Sequence, residues 1–560
     1  MFGSRYFGLR GTKLNVAIGI IAGLDFLLFG YDQGVMGGLL TLRSFLNVFP
    51  ELDVEAAPKG PEHDHVSVIQ GISVASYNVG CFCGAIACIW VGNMLGRRKT
   101  IFVGSAIMIV GAALQTSAFS LPHFIVGRII TGMGNGLNTS TVPTWQSECS
   151  KSHRRGVLVM IEGALITGGV CLSYWIDFGF SYLEPSTVSW RFPIAFQIVF
   201  ALIILIFILD LPESPRWLIL KGKEDEALEV LCALNECEPG DAYIKSEFTA
   251  IKDTVLEMEQ GSFRDLFTMG KDRHLHRTVL AYVNQMFQQI SGINLITYYA
   301  ANIYENYVGL SPFISRILAA CNGTEYFLVS WVPVFLIEKV GRRSLMLFGA
   351  VGMSLSMVVL AISNSINEGK TADERNTAAG IVSATFLFVF NSFFAVGWLG
   401  MTWLYPAEVV PLRIRAPANA LSTSANWAFN FMVVMITPVA FSSIGYQTYI
   451  IFAVINAFIV PVTYFFYPET AYRSLEEMDT IFHKTTSVFN VVSVARNEPR
   501  RYGKNGELLI NYEETEEHHM HDESRRNSSA DPRMMSNIGE KRHTKNVENI
   551  SADPEKGISK

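Results

Sequence analysis

Charged residues are scarce in this sequence: they make up 17% of the 560 residues, whereas soluble domains carry about 25%. Half of the residues are hydrophobic. Apolar runs of about 20 residues, the length that crosses a bilayer, recur between positions 14 and 467. A soluble chain would have to bury all of them in one core, and single cores stop growing near about 250–300 residues. The composition therefore excludes a soluble protein and predicts an all-α membrane protein.

Motifs that carry chemistry are also missing. The eight cysteines lie in apolar runs or in loops that we place in the cytosol, so no disulfide framework is expected. Neither a nucleophile–base set nor a metal-ligand spacing can be recognised, and Gly132–Gly136 is typical of helix packing rather than of a nucleotide loop. The sequence therefore predicts no enzyme, no metal site, no resident cofactor and no nucleic-acid partner.

Twelve membrane spans are predicted in two groups of six, within residues 14–211 and 278–467. The predicted spans are 14–40, 66–91, 99–118, 124–145, 156–180, 191–211, 278–304, 311–337, 344–363, 379–405, 417–441 and 448–467. The polar stretch 212–277 is expected to be a linker with short helices. Residues 1–13 precede the first span, and residues 468–560 form a polar tail that we expect to be mostly disordered after about residue 485.

Basic residues mark alternate loops between the spans. The loop 41–65 is mainly acidic, whereas the loops assigned to the other side contain Arg97-Arg98-Lys99, Arg154-Arg155, Arg342-Arg343 and Arg413 with Arg415. Loops rich in lysine and arginine stay on the cytosolic side of a membrane. Both termini and the linker are therefore expected in the cytosol, and the plasma membrane is the expected location.

Three short motifs occur once in each half of the chain, in the same order. They are Gly96-Arg97-Arg98 and Gly341-Arg342-Arg343, Glu148 with Arg155 and Glu408 with Arg415, and Pro212-Glu213-Ser214 and Pro468-Glu469-Thr470. Parallel repeats of this kind relate the two halves of a transporter and place its substrate site at their interface. The sequence therefore predicts two similar six-helix halves around a central site.

Several longer strings resemble the sugar-porter family of the major facilitator superfamily. They are GLDFLLFGYDQGVMGG at Gly23–Gly38, PESPRWL at Pro212–Leu218, QQISGIN at Gln288–Asn294, and PETAYR at Pro468–Arg473. The resemblance covers roughly residues 14–483. The strings at Pro143–Lys151 and Tyr174–Gly179 are similar, more narrowly, to fungal sugar porters of the group that contains the glycerol–proton symporter. The resemblance implies the twelve-helix major facilitator fold and transport by alternating access.

Asp32 lies inside the first predicted span, where an ionisable side chain is costly and usually functional. Arg128 in the fourth span can be its counter-ion, and arginine stays charged in proteins. The resemblance implies that the two residues carry proton coupling, with Asp32 alternating between an ion pair and a protonated state. A permanent structural ion pair is the alternative. Asp25 is expected near the cytosolic mouth, in contact with water, and a proton relay is the alternative role for it.

Polar and aromatic residues of the later spans match the sugar ligands of the family. The resemblance assigns substrate contact to Gln288, Gln289, Asn294, Trp403, Asn426 and Asn430. Three further ligand positions have changed, because the polar residues of the family are replaced here by Gly163, Tyr326 and Ala395. Tyr326 is expected to fill space beside the substrate, which favours a small polyol over a hexose. Packing between helices is the alternative role for these amides and aromatic rings.

Charged residues at the cytosolic ends of the spans match the gate network of the family. They are Glu148, Arg155, Glu213, Arg216, Glu338, Arg342, Glu408, Arg415 and Glu469. Exposed ion pairs contribute only about 0–1 kcal/mol each, but a network that re-forms in one state biases the conformational equilibrium. Generic positive charge on the cytosolic side is the alternative for any single arginine.

The leading hypothesis is a monomeric carrier in the lipid bilayer that takes up a small neutral polyol or monosaccharide, with the proton as coupling ion. A passive facilitator on the same scaffold is the first alternative, and Asp32 argues against it. A nutrient sensor that binds sugar without transporting it is the second. Sensors of that kind usually carry folded interaction motifs in a long tail, and none is recognisable after residue 485.

Overall fold

The structure is a computed structural model that describes residues 5–499 except 59, 151–154, 239–240, 242–243, 246–247, 250, 253–262, 368–375 and 474. The tail from residue 500 onward, for which disorder is predicted, lies outside the described residues. Those residues form helices and loops, and no strand occurs among them. The chain divides into a large unit, Met1–Ala471 with Met478–Glu498, and a small one, Tyr472–Glu477 with Pro499–Lys560. Within the small unit, Arg473 and Glu477 lie 3.9 Å apart.

Twelve helical segments correspond to the predicted spans, with ends that differ by several residues. The first six spans are single helices: Gly11–Leu39, Pro61–Leu95, Arg97–Thr116, Leu121–Cys149, Arg155–Ser181 and Val188–Ile208. The ninth, eleventh and twelfth spans are also single helices: Arg342–Asn367, Arg415–Ile444 and Gln447–Phe466. The seventh, eighth and tenth spans are each divided in two: His274–Ile290 and Ile293–Asn302, Pro312–Val329 and Val332–Val340, and Thr377–Gly397 and Met401–Val409.

Ten helices of the described chain are long and apolar enough to cross a membrane. The fourth and seventh spans are not among these ten. The fourth helix carries Arg128 and buried amide and hydroxyl groups. The seventh is interrupted at Gly292, whose φ of 101° suits glycine and few other residues. Both spans have low hydropathy because they turn polar side chains toward the other helices.

Glycines allow the second and fourth spans to pack with their backbones in contact. A Cβ atom added to Gly80 would lie 2.1 Å from the carbonyl oxygen of Ile129. A Cβ atom added to Gly132 would lie 2.1 Å from the carbonyl oxygen of Tyr77. These distances leave no room for a side chain. The glycine run Gly132–Gly136 therefore packs helices, in agreement with the interpretation of the sequence.

The two halves are joined on one side of the protein, which we call the linker side. The chain continues there from the sixth span through helices Pro215–Leu220 and Glu224–Asn235 and the short helix Phe263–Phe267 to the seventh span. Asn15 near the start of the first span donates a hydrogen bond to the carbonyl oxygen of Leu234 (3.0 Å). The first span therefore begins on the linker side and ends on the opposite side.

Helices also follow the last span, at Leu475–Lys484 and Val491–Asn497. The second of them lies in the stretch where the sequence predicts mostly disorder. The guanidinium of Arg277, at the start of the seventh span, is bonded to Asp479 and lies 4.3 Å from the centre of the Phe482 ring. These contacts hold the first helix from Met478 onward. Just before the second helix, the ring of Phe489 packs against Phe466 of the twelfth span with centroids 5.2 Å apart, and Val491 is buried. Composition alone does not reveal such contacts.

Candidate transport site

Three amide side chains of the seventh span are linked by hydrogen bonds beside the interruption of the tenth span. Gln288 donates to the carbonyl oxygens of Trp398 and Leu399, at 3.2 and 3.1 Å. Gln289 donates to Gln288 (3.0 Å), and Asn294 donates to Gln289 (2.5 Å). The break in the tenth span frees backbone acceptors, which orient the first amide and, through it, the other two.

The eleventh span adds an amide to the same network. Asn426 donates to the side-chain oxygens of Gln285 (2.7 Å) and Gln288 (3.0 Å). Gln285 in turn donates to the carbonyl oxygen of Thr402 (3.0 Å). The seventh, tenth and eleventh spans are therefore joined by buried amides, whose donors and acceptors can also bind hydroxyl groups.

Asn430 lies where the two halves meet. It accepts a hydrogen bond from Asn78 of the second span (3.2 Å), and Asn78 accepts one from the hydroxyl of Tyr298 (3.3 Å). The ring of Trp427 packs edge-on against Phe29 of the first span, with centroids 5.4 Å apart. These contacts bring the candidate ligands of the second half against the first half.

Asp32 and Arg128 are both completely buried in the first half. They interact electrostatically, and the hydroxyl of Tyr77 also lies near Asp32, yet neither carboxyl oxygen of Asp32 takes part in a hydrogen bond of regular geometry. Arg128 Nη2 donates instead to the carbonyl oxygen of Val74 (3.1 Å), and its guanidinium lies 5.0 Å from the centre of the Tyr77 ring. The structure therefore brings the two residues near each other without a bond between them.

The positions at which the family ligands are replaced are filled by packing. Tyr326 is buried and packs against the ring of Phe394, with centroids 6.3 Å apart. A Cβ atom at Gly163 would lie 3.5 Å from the side chain of Leu399, which comes from the other half. Ala395 is buried, and Trp403, just beyond the interruption of the tenth span, is half-buried.

On the linker side, charged residues of the first half bind one another. Arg97 Nε lies 3.2 Å from a carboxyl oxygen of Glu148, to which Ser214 also donates a hydrogen bond. Arg216 acts on the same carboxylate electrostatically. Glu213 accepts hydrogen bonds from the backbone N–H groups of Arg97 (3.0 Å) and of the next residue (3.2 Å). Burial raises the pKa of Glu213, and these N–H groups oppose that shift.

The second half repeats this arrangement. Arg342 lies 2.8 Å from a carboxyl oxygen of Glu408 and 3.0 Å from one of Glu338. Thr470 donates to Glu408 (2.6 Å), and Glu469 accepts from the backbone N–H of Arg342 (2.8 Å). The repeat that is visible in the sequence is thus a repeat of the same hydrogen bonds.

A glycine is the first residue of the Gly-Arg-Arg motif in each of the two charged clusters, and the reason is steric. Gly96 has a φ of 89° and Gly341 a φ of 94°. A Cβ atom would lie 2.7 Å from Glu213 Oε2 at the first site and 2.5 Å from Glu469 Oε2 at the second. Both the backbone conformation and the close approach of the carboxylate therefore require a residue without a side chain at these two positions.

The remaining two predicted gate residues are the arginines that follow these glutamates in each half. The side chain of Arg155 lies outside the described residues. Arg415 donates to the carbonyl oxygen of Val410 (3.1 Å). In this structure Glu148 and Glu408 thus form ion pairs with arginines of their own halves, Arg97 and Arg342.

The halves touch each other on the side opposite the linker. Arg316, at the start of the eighth span, donates to the carbonyl oxygen (2.6 Å) and the hydroxyl (3.1 Å) of Thr41, which follows the first span. Arg316 also lies 3.5 Å from Glu184 of the first half. Tyr174 of the fifth span donates to the carbonyl oxygen of Thr297 in the seventh (2.9 Å). These bonds hold the two halves together on that side.

Sequence reasoning missed two amides of the site and misplaced one carboxylate. Gln285 lies one helical turn before Gln288 and Gln289, so its spacing could have indicated it. Asn78 carries no such signal, because its partners belong to the other half. The expectation that Asp25 contacts water is wrong: it is 1% exposed and accepts a hydrogen bond from Asn138 (2.7 Å).

Comparison with known proteins agrees with this architecture. Residues 17–482 match the family model described as "Sugar (and other) transporter". The chain is 42% identical over 486 residues to the sugar transporter STL1 of Saccharomyces cerevisiae, covering 86% of this chain and 83% of that protein. It is 39% identical over 483 residues to the major facilitator superfamily transporter mfsA of Aspergillus fumigatus, covering 85% and 88%.

A solved structure shows the same fold. The proton:xylose symporter XylE, bound to 6-bromo-6-deoxy-D-glucose, superposes with a TM-score of 0.71 at 24% identity. The match covers 84% of this chain and 100% of that one. The chain belongs to the sugar transporter family of the major facilitator superfamily, and it is an integral multi-pass membrane transporter rather than an enzyme.

Proposed function

We propose that this chain carries a small neutral polyol or monosaccharide together with a proton, by alternating access between its halves. The observation that supports coupling is the buried Asp32, which has no hydrogen bond of regular geometry and no ion pair in contact with it, although Arg128 and Tyr77 lie near enough to act on it. An ionised carboxylate left unpaired in a membrane interior is costly. Asp32 therefore either holds a proton or moves to bind Arg128, and the exchange between these states couples proton binding to helix movement.

The amide network supports a hydroxylated substrate without charge. Gln288, Gln289, Asn294, Asn426 and Asn430 offer both donors and acceptors. Hydrogen bonding by such buried groups discriminates strongly against ligands that leave them unpaired.

Packing beside the site supports a small substrate. By its resemblance to the family, Tyr326 replaces a smaller polar ligand residue, and it is buried. A Cβ atom at Gly163 would lie 3.5 Å from the side chain of Leu399. We expect glycerol or another small polyol to compete with labelled substrate at least as well as glucose does. High-affinity hexose transport without any competition by polyols would contradict this choice of substrate.

We infer from the basic loops that the linker side and both termini face the cytosol and that the protein lies in the plasma membrane. A reporter fused after Lys560 should be cytosolic, and the 212–277 linker should resist protease added to intact cells. Cleavage of the linker from outside would reverse the assignment.

The test of coupling is accumulation of substrate against a gradient, with and without a protonophore. One proton gains about 2.3 kcal/mol per 100 mV, which permits an accumulation ratio of about 50 at about 1.4 kcal/mol per factor of ten. Asp32→Asn should reduce that ratio to about 1 while exchange of substrate continues. Arg128→Ala should impair exchange as well. Glu325→Gln, a carboxyl change in the second half, is the matched control and should still accumulate.

Three outcomes discriminate among the alternatives. Wild-type uptake that is insensitive to both the protonophore and external pH would indicate facilitated diffusion instead of symport. Specific binding without any flux in reconstituted vesicles would support the nutrient sensor. Accumulation by Asp32→Asn would keep symport but assign the proton to another residue.

A further inference from the structure

A second pair of buried carboxyl groups lies in the first half, apart from Arg128. Asp25 in the first span is 1% exposed, and Glu162 in the fifth span is 5% exposed. Asp25 Oδ1 accepts a hydrogen bond from Asn138 (2.7 Å), but its other oxygen has no partner. Among the described residues no hydrogen bond or ion pair involves Glu162. The first and fifth spans are in close contact at this level, because a Cβ atom at Gly23 would lie 2.6 Å from the side chain of Leu165, and Asp25 acts on Glu162 electrostatically.

No cation balances this pair within the described residues. The fourth span contributes the neutral Asn138, and its Arg128 acts on Asp32 and not on Asp25 or Glu162. Two carboxylates that face each other in an interior of low dielectric constant cannot both stay ionised. The pair therefore has to hold a proton in at least one state of the protein.

The other elements packed against the first span do not supply a counter-ion either. The facing second helix of the seventh span, Ile293–Asn302, contains no charged residue. The sixth span contains Arg191, which is bonded to the carbonyl oxygens of Thr116 and Ala118. The charged linker helix Glu224–Asn235 meets the first span at Asn15, about 15 Å from Asp25 along the helix.

The position of the pair connects Asp32 with the linker side. Asp25 precedes Asp32 by two helical turns, about 10 Å, on nearly the same face of the first span. Glu162 precedes Gly163, which contacts Leu399 of the other half. Because the carbonyl oxygen of Leu399 binds Gln288 (3.1 Å), the pair lies beside the candidate substrate site.

We propose that Asp25 and Glu162 form a second proton-binding site, which receives the proton from Asp32 and releases it on the linker side. The inference rests on the proposed function. Because about 10 Å separates the two carboxyl groups along the helix, water that enters the path carries the proton. The O–H bond of protonated Asp32 breaks and leaves its electron pair on that oxygen, a water molecule takes up the proton, and the last water of the path gives up a proton that forms an O–H bond with an oxygen of the pair. Release to water on the linker side restores the charge of the pair.

The experiment measures substrate influx into proteoliposomes of defined orientation, while the pH on the linker side is varied and the pH on the opposite side is fixed. Wild-type influx should fall as the linker side becomes acidic, because the release site stays protonated. Glu162→Gln removes one of the two like charges, so the midpoint of this inhibition should move to lower pH by about one unit. Asp25→Asn should shift it in the same direction, and the double variant should lose the dependence.

A control variant and two contrary outcomes distinguish this second proton-binding site from the proton coupling that is proposed for Asp32. Glu325→Gln should keep the wild-type profile, and thermal unfolding of each purified variant reports whether it is folded. If Glu162→Gln raises KM but leaves the pH profile unchanged, Glu162 is a substrate contact and the second site is refuted. An unchanged profile in Asp25→Asn refutes it as well, while accumulation that still depends on Asp32 leaves the proposed function intact.

Discussion

The bonds of Arg316 provide a way to measure how firmly the protein is closed on the side opposite the linker. This arginine of the second half donates two hydrogen bonds to Thr41 of the first half, at 2.6 and 3.1 Å. Its contact with Glu184 is longer, at 3.5 Å. Because the bonds connect different halves, Arg316→Ala should weaken the closed state without affecting the packing inside either half.

The magnitude follows from the kind of contact that is lost. A hydrogen bond with a charged donor contributes about 1.5–3 kcal/mol, and the partly exposed pair with Glu184 adds about 0–1 kcal/mol. When the halves separate on this side, water forms hydrogen bonds with the freed groups and compensates part of the lost interaction energy. About 2 kcal/mol then remains in favour of the closed state. At about 1.4 kcal/mol per factor of ten, the open population should rise about thirtyfold.

Thiol labelling can detect this change. Thr297→Cys, in a background without the native cysteines, places a thiol at a buried contact between the halves. The partner of Tyr174 at this position is the backbone carbonyl group, so the substitution keeps that hydrogen bond. A membrane-impermeant maleimide added on the side opposite the linker should react about ten- to thirtyfold faster in Arg316→Ala.

A matched control is available on the same side. Arg43 pairs with Asp53 and Glu55, at 3.3 and 3.4 Å, but all three residues belong to the first half. Arg43 also acts electrostatically on Glu305 of the second half, but less than Arg316 does, so Arg43→Ala should raise the labelling rate much less than Arg316→Ala. An unchanged rate in Arg316→Ala would refute the reasoning, and an equal increase in both variants would show a general effect of surface charge.

Three further predictions concern stability and specificity. Gly132→Val should lower the melting temperature strongly, because its Cβ atom would meet the carbonyl oxygen of Tyr77 at 2.1 Å, whereas Gly179→Ala, with no neighbour within 4 Å, should not. Arg342→Ala should cost about 1.5–3 kcal/mol in a chemical unfolding assay, because the half-buried Glu408, whose side chain is 22% exposed, loses its charged hydrogen bonds; the exposed Arg413→Ala should cost about 0–1 kcal/mol, and equal costs would contradict this. Tyr326→Asn should increase uptake of labelled hexoses relative to glycerol, and an unchanged ratio would exclude Tyr326 as a determinant of size.

The parts that the sequence predicted are those that depend on local chemistry. Apolar runs revealed most of the spans because membrane insertion requires them. The duplicated motifs were recognisable because each cluster needs a glycine with positive φ and a glutamate that accepts backbone N–H groups, as at Gly96 with Glu213 and at Gly341 with Glu469. The positions of the two clusters could therefore be predicted without a structure.

The parts that it did not predict depend on how the halves sit against each other. Asn78 contacts Asn430 and Tyr298, which lie 352 and 220 positions away in the sequence and belong to the other half. The interruption of the tenth span was also missed, because hydropathy is continuous across it. That interruption decides which carbonyl oxygens become acceptors for Gln288.

The divided helices all lie in the second half, among the spans that the structure describes, while every span of the first half is one helix. The half with interrupted helices carries the amide network, and the half with continuous helices carries Asp32 and Arg128. Under the proposed function, most of the substrate contacts and the proton-coupling pair thus belong to different halves, with Asn78 as the first-half member of the amide network. Substitutions in the second half would then change which substrate is carried and leave Asp32 and Arg128 as they are.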